Sequence, residues 1–124
     1  DTPTGRIQKF KYSQDFNKFN ELDSNIIFKD VGEPDGATID IENNYWSARV
    51  RGKCIISIDT KSEKILEKIN LPTNTPTCVT FGGNNLSSLY VTSLRADPTN
   101  DNEGGNLHRI ETDTRGFEQF LADI

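Results

Sequence analysis

The sequence predicts an all-β chain in which one supersecondary unit of short antiparallel strands recurs, and three observations predict it. Two segments match in order: Pro34-Asp35-Gly36-Ala37-Thr38-Ile39-Asp40 leads through Asn43-Asn44 to Tyr45-Trp46, and Pro76-Thr77-Cys78-Val79-Thr80-Phe81 leads through Asn84-Asn85 to Leu89-Tyr90-Val91. Each reads as an apolar strand, an Asn turn and a second strand bearing an aromatic. The strands that follow also match, since Gly52-Lys53-Cys54 leads to Ile58-Asp59-Thr60 as Gly105-Asn106-Leu107 leads to Ile110-Glu111-Thr112. Four-stranded units at a period of about 40 to 50 residues are the building blocks of a β-propeller, whereas a sandwich has no reason to repeat in this way.

In chain order, Arg6 to Tyr12 is the first strand, with Ile7 and Phe10 as its apolar members. Ser13 to Asp23 is polar and Asn-rich and reads as a loop, and Asn25 to Lys29 as the next strand. Strands then follow at Ala37 to Ile41, Trp46 to Val50, Cys54 to Ile58 and Ile65 to Ile69, separated by turns at Asn43-Asn44, Arg51-Gly52 and Lys61-Ser62. Asn and Gly tolerate the positive φ that tight hairpins require. The second set is Thr77 to Phe81, Leu89 to Ser93, Asn106 to Glu111 and Phe117 to Leu121, with a longer polar loop at Ala96 to Gly105. The chain thus divides into residues 1–33, the outer half of one unit, and two full units at 34–73 and 74–124.

A length of 124 residues fits one domain or a piece of one. The formal charge is −5, from 14 Lys plus Arg against 19 Asp plus Glu, with no basic cluster among aromatics, so no nucleic-acid partner is expected. No apolar run approaches the ~20 residues that span a bilayer, and the start lacks the pattern of a secretory signal, so no membrane partner is expected and the cytoplasm is the default compartment. Cys54 and Cys78 lie in apolar strand-like runs. Both are expected to be reduced, buried thiols, in preference to a disulfide.

The two matching segments differ in their chemistry at one point: Asp35 stands in the first where Thr77 stands in the second. Pro34 fixes φ and Gly36 lets the chain bend, so Asp35 is expected at a corner before its strand. There it either presents a carboxylate toward the propeller axis or caps its own backbone in an Asx-turn. Thr77 either lines the same cavity with its hydroxyl or is an ordinary strand-start threonine. Trp46 and Tyr90 are expected as core aromatics, His108 as an exposed strand residue, and the sequon Asn85-Leu86-Ser87 as coincidence. The loop from Asp97 to Gly104 superficially suggests an EF-hand, but Gly104 stands where a ligand belongs, and a solvated loop is expected. Serine-hydrolase elbows and phosphate loops are absent from the sequence.

Pro34-Asp35-Gly36, Asp40, Trp46, Leu71-Pro72, Pro76-Thr77-Cys78, Phe81-Gly82-Gly83 and Leu89-Tyr90-Val91-Thr92-Ser93 resemble the C-terminal part of the regucalcin (SMP-30), gluconolactonase and luciferin-regenerating enzyme family. That resemblance implies a six-bladed propeller, of which this chain carries about two and a half four-stranded antiparallel blades. It implies that Asp35 is both a ligand of a divalent metal cation (Ca, Mg, Mn or Zn) and the general base, acting on a small lactone or ester. The other ligands implied, a Glu and Asn residues, belong to earlier blades. The chain is therefore expected to bind metal weakly and to show little or no lactonase activity by itself, its partners being the remaining blades or another protein chain. The rival expectation is a non-catalytic propeller segment used for binding or assembly. Asn43-Asn44 and Asp113-Thr114-Arg115-Gly116 depart from the family's usual turns and leave Asp35 untouched.

Overall fold

The computed structural model describes residues 1–12, 19–97 and 99–118. A short 3-10 turn at Thr2–Thr4 precedes nine strands: β1 (Arg6–Tyr12), β2 (Phe19–Ile27), β3 (Glu33–Ile39), β4 (Asn44–Val50), β5 (Cys54–Asp59), β6 (Ile65–Asn70), β7 (Pro76–Gly82), β8 (Ser88–Ser93) and β9 (Leu107–Glu111). Among the described residues there is no α-helix. The strands form three antiparallel sheets in simple sequence order, β1-β2, β3-β4-β5-β6 and β7-β8-β9. The chain is all-β, as its strand pattern and turn residues predict.

Some boundaries move. β2 begins at Phe19, so the polar residues 19–23, expected in a loop, pair with β1 instead, from Tyr12 opposite Phe19 to Arg6 opposite Ile27. Backbone pairing outweighs polar composition on a sheet of only two strands, where each strand has an open edge. Residues 13–18 of that expected loop lie outside the described residues. β3 begins at Glu33 rather than Ala37, because Pro34 sits on an edge strand, where its missing N–H costs no ladder bond. Of the expected strand at Phe117 to Leu121, residues 117 and 118 are not in a strand, and 119–121 lie outside the described residues. The chain before them returns to the residue just past β3 through a bridge between Gly116 and Asp40.

Two apolar layers hold the sheets together. Trp46, Ile55, Leu71, Val79, Phe81, Leu89 and Val91 fill the space between the four-stranded and three-stranded sheets. Val31, Cys54, Ile56 and Ile58, with Ile7, Phe28 and Tyr45 packed against them, fill the space between the two-stranded and four-stranded sheets. Alternate residues of β5 therefore enter different layers, and Cys54 through Ile58 are all buried. Such a run follows from burial on both faces of a strand.

Turn chemistry is only partly as expected. Asn43 adopts φ 66°, but at the Arg51-Gly52 turn the positive φ falls on Arg51 and Lys53. Gly52 is needed for space: a Cβ there would fall on the Val31 carbonyl.

Candidate functional site

Asp35 lies inside β3, not at a corner before it. The register passes from Pro34 opposite Arg49 to Ala37 opposite Ser47, so one extra residue is accommodated as a β-bulge at Asp35-Gly36. The same device recurs in β7, where Pro76 faces Ser93 and Cys78 faces Thr92, which leaves Thr77 as the extra residue. Asp35 and Thr77 thus occupy equivalent bulges on neighbouring strands, since β3 packs against β7. A Cβ on Gly36 would come within 2.8 Å of the Cys78 Cα, so only a glycine lets the two bulges lie this close.

The Asp35 side chain is exposed, and no described residue hydrogen-bonds to its carboxylate. The Asx-turn alternative is thereby removed, and both oxygens are open to a ligand. Asp35 lines an open groove of about 560 Å³ with Arg6, Gln8, Pro34 and Tyr45. Thr77 does not line that groove, and its hydroxyl shares a 2.8 Å hydrogen bond with that of Thr92.

Asp40, five residues along, carries a different burden; the family resemblance includes it, but sequence reasoning assigned it no role. It is 1% exposed. Its carboxylate accepts from the Trp46 indole N–H at 2.9 Å, the Glu42 and Asn44 backbone N–H groups at 2.9 Å each, and the Asn44 amide at 3.1 Å. Asp40 therefore closes the β3–β4 turn and orients Trp46, whose ring meets Phe81 edge-on at 5.8 Å. An Asp three residues before an Asn-Asn turn and six before a Trp was the available signal.

Two further buried charges stand behind the bulges. Arg49 is fully buried. Its Nε donates to the Val31 carbonyl at 3.4 Å and its Nη2 to that of Gly32 at 2.5 Å. Burial pushes the guanidinium down from its ordinary value, against the opposing influence of Cys54, Tyr45 and Glu33. Asp101, 3% exposed, accepts from the Thr73 hydroxyl at 2.8 Å and the Asn74 N–H at 2.7 Å. Burial raises its carboxyl, but hydrogen bonds led by that of Asn74 outweigh it and hold the group below the usual range.

The remaining expectations divide. Cys54 is buried, and burial pushes its thiol up; Cys78 is free but exposed, with its side chain beside Gly36 of β3. Trp46 is core, whereas Tyr90 is only half-buried, on the face of β8 opposite the buried Leu89 and Val91 and beneath the Arg109 guanidinium at 6.0 Å. His108 lies in β9 and is half-buried. Asp97 caps its own loop, accepting from the Thr99 N–H at 2.9 Å and the Asn100 amide at 2.8 Å.

Among the described residues no group of three or more His, Cys, Asp and Glu could hold a metal ion. Asp35 can offer a hard cation one carboxylate, and the other ligands of a complete site would have to lie beyond these residues. No described helix is long and apolar enough to cross a membrane.

Residues 1–95 match the SMP-30/gluconolactonase/LRE-like region. The chain is 33% identical over 102 residues to the pentonolactonase XacC of Haloferax volcanii, covering 75% of this chain and 35% of that protein. Among solved structures it superposes on a luciferin-regenerating enzyme with a TM-score of 0.83 at 31% identity, covering 94% of this chain and 41% of that one. It superposes on a calcium-binding protein, regucalcin, of Agrobacterium tumefaciens with a TM-score of 0.81 at 22% identity, covering 100% of this chain and 44% of that one. The chain therefore spans less than half the length of the proteins it matches. With the family match over residues 1–95 covering most of its length, this chain belongs to the SMP-30/gluconolactonase/LRE-like family, which includes sugar-lactone hydrolases.

Proposed function

We propose that these residues are the C-terminal part of a six-bladed propeller that hydrolyses a sugar lactone or related small ester with the help of a divalent cation. In this reading residues 1–33 are the outer half of one blade, and residues 34–73 and 74–124 are two further blades. The observation that carries it is the exposed Asp35 carboxylate, free of hydrogen bonds from described residues, on a bulge of the edge strand β3. Asp35 takes the proton of the attacking water and serves as one ligand of the cation, whose identity among Ca²⁺, Mg²⁺, Mn²⁺ and Zn²⁺ the single carboxylate does not select. When bound, the cation would polarise the lactone carbonyl. Thr77, at the equivalent bulge, lines the substrate cavity of the closed ring.

A test is to load the intact protein with each cation and assay it against aldonolactones. Asp35→Asn is expected to lower kcat at least about 100-fold, the usual contribution of a general base, and to weaken cation binding measured by calorimetry. Unchanged turnover in Asp35→Asn would sink this reading. A second reading, a non-catalytic segment that pairs with another chain, is favoured by the uncovered face of the β7-β8-β9 sheet, where Leu107 is 64% exposed and Tyr90 lacks the partner that Trp46 has in Phe81. An intact protein that neither binds a cation nor turns over lactones, yet assembles through this face, would favour it.

A further inference from the structure

The two bulges are held from behind in the same place by opposite charges. Val31 and Gly32 lie three and two residues before Pro34, and Thr73 and Asn74 lie three and two residues before Pro76. In the first unit the buried Arg49, near the end of β4, donates to the carbonyls of Val31 and Gly32. In the second the buried Asp101, in the loop from β8 to β9, accepts from the Thr73 hydroxyl and the Asn74 N–H. Each grip comes from the region joining the second and third strands of its unit and closes on the chain just before the bulge.

Arg49 is there at a cost. Its Nη1 is buried without a hydrogen-bond partner, and no ion pair among the described residues neutralises it. An unpaired guanidinium in a protein interior is unfavourable, and an apolar residue of similar length is often neutral or better for stability. A costly group that persists beside a site is a candidate for holding that site in shape. The backbone it holds is already crowded: Gly32 has φ 76°, and a Cβ there would fall on the Gly52 nitrogen. The exposed Asp35 carboxylate has no described hydrogen-bond donor to aim it, so its backbone alone sets its direction.

We propose that Arg49 is a positioning residue for Asp35, and that Asp101 plays the equivalent part for Thr77. The inference rests on the reading of Asp35 as the cation ligand and base. Arg49 touches neither substrate nor cation; it fixes the two carbonyls from which the Pro34-Asp35-Gly36 bulge springs. Outer partners of this kind typically contribute about 10- to 100-fold in metal affinity or activity.

The experiment compares Arg49→Met, Arg49→Lys and Asp101→Asn in the full-length protein, reading thermal midpoint, calorimetric Ca²⁺ binding and steady-state hydrolysis of gluconolactone. Arg49→Met is expected to keep a folded midpoint while weakening Ca²⁺ binding and lowering kcat by about tenfold each, with KM little changed. Arg49→Lys, which retains the charge and a single ammonium donor in place of the guanidinium fork, is expected to recover part of both. Asp101→Asn is expected to raise KM and to leave Ca²⁺ affinity unchanged within about twofold, since it acts on the neighbouring bulge. Full Ca²⁺ affinity and full kcat in a folded Arg49→Met would overturn the proposal. Amide hydrogen exchange at Asp35 and Gly36 separates this failure from that of the functional reading. If the wild-type protein neither binds Ca²⁺ nor hydrolyses lactones, exchange there should still rise about tenfold in Arg49→Met, or in Arg49→Lys should the former not fold, and unchanged exchange overturns the clamp itself.

Discussion

Two aspartates five residues apart, Asp35 in β3 and Asp40 just past its end, show how environment divides the work of one side chain. Asp35 is exposed and free of hydrogen bonds from described residues; Asp40 is 1% exposed and accepts four. Asp40→Ala leaves the Trp46 indole N–H and two turn amides without their acceptor, at a cost of about 2 to 4 kcal/mol. Thermal unfolding of the full-length protein should show a midpoint several degrees lower, and a midpoint within about a degree of wild type would contradict this role. Asp35→Ala should leave the midpoint nearly unchanged in the same measurement, because it removes no described contact. The sequence marked Asp35 through its odd place in a repeat, whereas Asp40, Arg49 and Asp101 gave little signal. Their roles arise from contacts with residues 2 to 28 positions away, most of which a one-dimensional pattern does not hold.

At the scale of elements, the strands were legible wherever one face is apolar and a turn residue follows, as in β4, β5 and β8. They were less legible where pairing alone decides, as in polar β2, or where a bulge extends a strand backward through a proline, as in β3. The bulges were invisible to alternation because each inserts one residue and resets it. Their close approach gives a test at this scale. Gly36→Ala drives a methyl group into the Cys78 backbone and side chain, so the β3–β7 contact must open, at a cost of about 1 to 3 kcal/mol. Denaturant unfolding should show a lower midpoint, and the double variant Gly36→Ala with Cys78→Ala should regain little of it, since the Cys78 Cα is itself within 2.8 Å of the added atom. Full recovery in the double variant would place the clash on the thiol instead.

For the molecule as a whole, the sheets repeat but their surroundings do not. The four-stranded sheet is covered on both faces, while the face of β7-β8-β9 bearing Tyr90, Thr92 and Leu107 is covered by no described sheet. On the proposed reading, with Asp35 the one carboxylate that the described residues offer the cation, the 124-residue chain alone is expected to bind Ca²⁺ no more tightly than about millimolar and to show no lactone hydrolysis above background. Calorimetry and a lactone assay on that chain, beside the intact protein, decide the matter. Turnover by the isolated chain approaching that of the intact protein would show that the site is complete here after all.

The chain contains a single tryptophan, Trp46, and it lies in the layer between the four-stranded and three-stranded sheets, capped by Asp40 and flanked by Phe81. Indole fluorescence is therefore a private channel to one junction: it brightens, dims or shifts as those two sheets part. The junction to β1-β2 contains Tyr45 and no tryptophan, so it is silent at wavelengths that excite indole alone. An unfolding curve followed by that emission follows one seam of the protein, and its disagreement with circular dichroism would time the opening of the other.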